Sequence, residues 1–131
     1  MKIAIATDDG RTISQHFGRA AHYAVLTVEN GTVVASEIRA KFSPHVSGPE
    51  AHEEHETGPH GIGPTSDARH DQMAAAIADC SAVICGGMGQ GASGRMKANG
   101  IRPIVTDIRD FEEAAIQCAT GRIVDHSERL H

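Results

Sequence analysis

Asn30-Gly31 divides two stretches rich in β-branched residues, His22–Val28 and Thr32–Arg39, and constrains the fold of this chain more than any other dipeptide. A two-residue hairpin turn of the favoured twist needs positive φ at both central positions, which Asn and Gly tolerate best. An antiparallel pair is therefore expected here. Lys2–Thr7, a short apolar run, precedes it and reads as a buried strand ended by the turn signal Asp8-Asp9-Gly10.

Beyond the hairpin the pattern changes. The stretch 40–66 contains Pro44, Pro49, Pro59, Pro64 and four glycines without apolar periodicity, which predicts one long mobile loop at about 41–66. Met73, Ile77 and Cys80 then recur at i, i+4 and i+7, predicting a helix over roughly Ala68–Cys80. Ser81–Cys85 reads as a strand, followed by a glycine loop and a short helix over about Ala92–Ala98 that ends at Asn99-Gly100. Ile101–Thr106 is a further strand, weakened by Pro103. Asp110 with Glu113 resembles a capping box for a helix carrying Phe111, Ala114, Ala115 and Cys118, stopped by Gly121. Arg122–His131 is expected to be poorly ordered beyond a short extended piece. A hairpin-linked half followed by two right-handed crossovers implies one α/β domain over 1–131, with a mixed five-stranded sheet flanked by helices. Ligands in such sheets gather beyond the carboxyl ends of parallel strands. Asp8–Arg19, Gly86–Arg95 and Asp107–Asp110 would then share one rim.

Composition narrows the function classes. With aromatics at 3% and no Trp, the core must be built from Val, Ile, Ala, Leu and Met. No apolar run approaches the roughly 20 residues that cross a bilayer, and Met1–Thr7 does not read as a signal peptide. A cytoplasmic protein without a membrane partner is expected. Cys80, Cys85 and Cys118 form an odd, sparse set without CxxC, which argues against a disulfide framework. A net charge of −5 with no basic cluster makes nucleic acid an unexpected partner. A monomer or weak homodimer is expected.

Two segments carry the chemistry: Ser14-Gln15-His16-Phe17-Gly18-Arg19-Ala20 and Cys85-Gly86-Gly87-Met88-Gly89-Gln90-Gly91. Between them they offer an imidazole, a thiol and unshielded backbone N–H groups at Gly86, Gly87, Gly89 and Gly91. Soft ligands beside glycine amides suit a metal–sulfur or oxyanion-bearing cluster. They suit acid–base catalysis less well, because no nucleophile–base–orienter set accompanies them. His16 is either a ligand or the residue whose hydrogen bonds hold its own turn. Arg19 either neutralises an anionic cluster or pairs with a surface carboxylate. Cys85 is either a thiolate whose pKa the helix dipole and amides lower, or a buried core residue. Met88 offers a thioether to a soft metal or a hydrophobic lid. Gly89-x-Gly91-x-x-Gly94 formally satisfies a dinucleotide fingerprint, but the helix it opens is short and Asp107 falls too early for the ribose-binding acid.

The expected loop and the start of the following helix concentrate histidine. His45, His52, His55, His60 and His70 are five of the nine in the chain, among Glu50, Glu53, Glu54, Glu56 and Asp67. Imidazoles at such spacing bind divalent transition metals, and His45, His52, His55 and His60 join His16 as candidate metal ligands. A His-rich acidic loop also chelates metals nonspecifically.

MKIAIATDDG, SQHFGRAAHYAV, the Asn-Gly hairpin, IADCSAVICGGMGQGA and ANGIRPIVTDI together resemble the dinitrogenase iron-molybdenum cofactor biosynthesis family. This family includes NifX- and NafY-type cofactor carriers and the carboxy-terminal domain of NifB. The resemblance covers about 1–40 and 68–125. It implies a ribonuclease-H-like three-layer α/β fold and binding or carriage of an iron–sulfur or molybdenum-containing cluster, without catalysis. It also implies cluster donor and acceptor proteins as partners. It carries over to Ser14, His16, Phe17, Gly18 and Arg19, and to Gly86, Gly87, Met88, Gly89 and Gly91. The His/Glu-rich insert departs from the family pattern, so its role is not inherited. Two rivals remain: a metal buffer or sensor working through the insert, and a Mg²⁺-dependent phosphoryl-transfer enzyme using Asp8, Asp9 and Asp107.

Overall fold

Asn30 and Gly31 both hold positive φ, 53° and 74°, and the chain reverses between β2 (His22–Glu29) and β3 (Thr32–Ala40). The pair runs in register from His22 opposite Ala40 to Glu29 opposite Thr32, with an irregularity at Thr27/Val28. The structure is a computed structural model and describes residues 1–41 and 63–126, with side chains from residue 69 onward in the second stretch. His45, His52, His55 and His60 lie outside the described residues.

β1 (Lys2–Thr7) pairs antiparallel with β2 and parallel with β4 (Ala82–Cys85), which in turn pairs parallel with β5 (Arg102–Val105). The order β3-β2-β1-β4-β5 makes the mixed five-stranded sheet that the sequence predicts. Pro103 fits within β5 because this is an edge strand, where a missing N–H breaks no ladder bond.

Side-chain alternation sorts the strands between two cores. Ala4, Ala6, Tyr23, Val25, Val83 and Cys85 face α1 (Gly63–Ala75) and α2 (Gln90–Ala98), meeting Met73, Ile77 and Met96. Ile3, Ile5, Ala24, Leu26, Ala82 and Ile84 face α3 (Phe111–Ala119), meeting Ala114, Ala115 and Cys118. The sheet is thus covered on both sides, as parallel strands require. No helix among the described residues is long and apolar enough to cross a membrane.

The first helix is displaced from its expected span of 68–80. It begins at Gly63, with Pro64 in the first turn where its missing N–H has no intrahelical role, and ends at Ala75. Ile77 and Cys80 follow in i→i−3 turns, their amides donating to Ala74 and Ile77. Arg39 receives this end: its guanidinium donates to the Ala76 carbonyl at 3.1 Å and grips both Asp79 oxygens at 2.7 and 2.9 Å. A cross-sheet arginine therefore stabilises an early helix stop that the apolar stripe does not announce. α3 is capped as expected on one side only. Asp110 accepts from the Glu113 amide at 2.8 Å, while the Glu113 carboxylate accepts from Gln117. Past α3, the Asp125 carboxylate accepts from the Val105 amide and the His126 amide donates back to Val105, covering the outer edge of β5.

Candidate functional site

The rim begins where β1 ends. Asp9 accepts from the amides of Arg11 and Thr12, both at 2.8 Å, and from the hydroxyls of Thr12 and Thr7. The two amides, Thr12 first, hold its carboxyl well below the usual carboxylate range. With Gly10 at positive φ, this closes a tight turn that sends the chain back across the sheet end.

There Ser14 stitches the top of β1 to that of β4. Its amide donates to Ala6 at 2.7 Å and its carbonyl accepts from Gly86 at 2.8 Å. Its hydroxyl is within hydrogen-bond reach of the His16 amide and carbonyl. His16, extended at φ −135°, leads into a single 3-10 turn, Phe17–Arg19. The Phe17 amide donates to the Gly87 carbonyl at 2.9 Å, so the histidine turn and the glycine loop are joined by two backbone bonds. Phe17 drives its ring into the core near Tyr23. Lys41, wholly buried, donates its ammonium to the Phe17 carbonyl and lies 4.0 Å from the ring centroid. The turn is thus anchored from below while His16 and Arg19 stay exposed. Asp8–Arg19, the glycine loop and residues 109–110 do share one end of the sheet: Ile13 donates to Arg109, and Thr12 bridges Asp110.

A cleft of about 360 Å³ opens between these segments. One wall is His16 to Arg19, a second runs from Gly87 to Ala92 at the start of α2, and the third is His70 and Met73 on α1. Gly89 caps α2 without a side-chain bond. The first-turn amides have no intrahelical acceptor and carry the positive end of the helix dipole. Met88 in this loop is buried in the core with Phe17 and Met73, so the donors left to the cleft are an imidazole, a guanidinium and helix amides, a set that fits an anionic group.

Two of the candidate residues lie off the cleft wall. Cys85 is fully buried and absent from the cleft wall, and desolvation pushes its thiol up to about 12. The Gly87 amide lowers that pKa as expected, but burial outweighs it. Gly86 also lies off the wall. A Cβ there would stand 2.7 Å from the amide end of the exposed Gln15 side chain, which would have to swing aside. The sites of Gly87, Met88, Gly89, Gly91, His16 and Arg19 do come together. Among the described residues no three His, Cys, Asp or Glu side chains converge on one metal position, so Asp8, Asp9 and Asp107 do not form a Mg²⁺ cage. Asp9 is occupied in its turn, and Asp107 lies 3.4 Å from His126. His70 lines the cleft although no site role was assigned to it from the sequence. Its signal was its place three residues before buried Met73, on the same face of the helix.

This sheet order sets a histidine turn and a glycine-opened helix facing each other at the strand ends. The chain belongs to the dinitrogenase iron-molybdenum cofactor family, whose model matches residues 1–121. A comparison with curated proteins finds no match. Among solved structures, the apo form of the orange protein from Desulfovibrio gigas is 20% identical with a TM-score of 0.62, covering 96% of this chain and 92% of its own. The protein PH0822 is 20% identical with a TM-score of 0.62, at 95% and 96% coverage. A Thermotoga protein of the DUF35 family is 17% identical with a TM-score of 0.59, at 95% and 91% coverage. At these identities the likeness shows the fold alone.

Proposed function

We propose that this protein binds an iron–sulfur or molybdenum-containing cluster in the cleft and hands it from a donor to an acceptor protein. The observation that carries this reading is the meeting of the His16–Arg19 turn with the uncapped amide end of α2. Such clusters are anionic and rich in sulfide. The α2 amides and Arg19 compensate that charge, and the His16 imidazole supplies a metal ligand. Cys85 takes no part, because a thiol held protonated inside the core is neither ligand nor nucleophile. Few ligands on an exposed turn favour release, as transfer requires, where a closed cage of four cysteines would not. Family membership supports the cargo, and the 3-2-1-4-5 strand order with helices on both faces supports a ribonuclease-H-like assignment.

The test is reconstitution of the full chain with ferrous iron and sulfide without oxygen, followed by iron and sulfide analysis and an absorption spectrum. Stoichiometric iron with acid-labile sulfide and charge-transfer bands is expected. His16→Ala should weaken retention at least about tenfold, and Arg19→Ala by less, since it removes charge compensation and no ligand. Full loading of both variants would make this site assignment wrong. Zinc binding without sulfide, lost on deleting residues 45–64, would favour the metal-buffer reading.

A further inference from the structure

His70 stands on α1 where that helix is clamped to α2. The neighbouring Asp71 grips Arg95 through two bonds of 2.9 and 3.0 Å, and three residues on, the Met73 carbonyl accepts from buried Tyr23. The ring is therefore held between two braced points. Its Cε1–Nδ1 edge lies against Gly91, the second residue of α2, where an added Cβ would come within 3.3 Å of Cε1. A side chain here would require the imidazole to give way by a few tenths of an ångström. Nδ1 is buried and has no hydrogen-bond partner. A buried nitrogen left without a partner costs free energy, and a bound metal ion is one group that would complete it. Met73, the other described α1 residue on this wall, is apolar, so among the described residues His70 is the polar group that α1 presents to the cleft.

We infer that His70 is a second imidazole ligand of the cleft, holding a metal of the cargo from the α1 wall while His16 holds it from the opposite turn. This rests on the carrier reading above. Two histidines on separate elements, with no third protein ligand among the described residues, leave the remaining metal positions to the sulfides of the cluster. They also make loading sensitive to the α1–α2 spacing that Asp71–Arg95 sets. Gly91 acts as a positioning residue by leaving room for the ring.

The experiment uses the full chain with ¹⁵N-labelled histidine, loaded with ferrous iron and sulfide without oxygen. His70→Gln and His70→Phe should each weaken cluster retention at least about tenfold with far-UV circular dichroism and Tm little changed. Gly91→Ala should weaken it by less, by pushing the ring aside. In the wild type, the ring signals of His16 and His70 should shift or broaden together on loading. If the wild type and both His70 variants load equally while His16→Ala does not, the inference falls and the carrier reading stands. If the wild type takes up no cluster, the carrier reading fails and this inference with it.

Discussion

At the residue scale, His16 and Cys85 show how differently two soft side chains fare at one sheet end. Ser14 and Gly86, a residue or two from each, are joined by a backbone bond, yet one side chain meets solvent and the other meets none. The thiol accordingly keeps its proton to about 12. Cys85 should resist iodoacetamide at pH 8 in the folded protein and react once denaturant is added, as followed by peptide mass spectrometry. Rapid native alkylation would contradict the burial. Asp9 carries the opposite sign. Its carboxyl is depressed in the folded state, so its contribution to stability is present above the ordinary carboxylate range and is lost as pH falls through and below it. Asp9→Asn should lower Tm at pH 7 and flatten the acid side of the Tm–pH profile.

At the element scale, turns and caps hold the site's frame in register. The β2–β3 reversal depends on Gly31 at φ 74°, so Gly31→Ala should cost about 1 kcal/mol through backbone strain, with the turn otherwise open to a methyl. Asp110→Ala should cost a similar amount, roughly 1 kcal/mol, by removing the cap bond to Glu113. Urea denaturation at constant m-value measures both. These elements were legible because their signals lie in adjacent residues. The end of α1 was not, because Arg39, forty residues before Asp79, decides it from β3.

At the scale of the whole molecule, buried titratable groups pull the alkaline stability in opposite directions. Burial raises Cys80 to about 11 and Cys85 to about 12, from an ordinary value of 9.0. The unfolded chain therefore loses these protons first, and stability falls as pH rises above about 9, by up to about 1.4 kcal/mol per unit for Cys85 and by less for Cys80, which solvent screens. Lys41 is lowered by desolvation from 10.5 to about 8. Between those values the unfolded chain holds the extra proton, and this contribution rises with pH. Cys85→Ala should therefore flatten the alkaline fall and Lys41→Met should steepen it, in urea denaturation at pH 8 to 10.5. Equal slopes in all three proteins would show that neither group is buried as described.

Sequence alone determined what short-range chemistry encodes: the hairpin at Asn30-Gly31, the strand and helix order, and two glycine-bordered segments destined for one rim. Strand alternation, turn residues and parallel crossovers leave few ways to arrange such a chain. Only the tertiary structure decided which of the candidate groups face solvent. It withdrew Cys85 into the core, buried Lys41 under the Phe17 turn and brought His70 to the cleft beside Gly91. The reason is physical. Periodicity states which face of an element is buried, but dielectric surroundings and hydrogen-bond partners come from residues tens of positions away, through packing that no local pattern records.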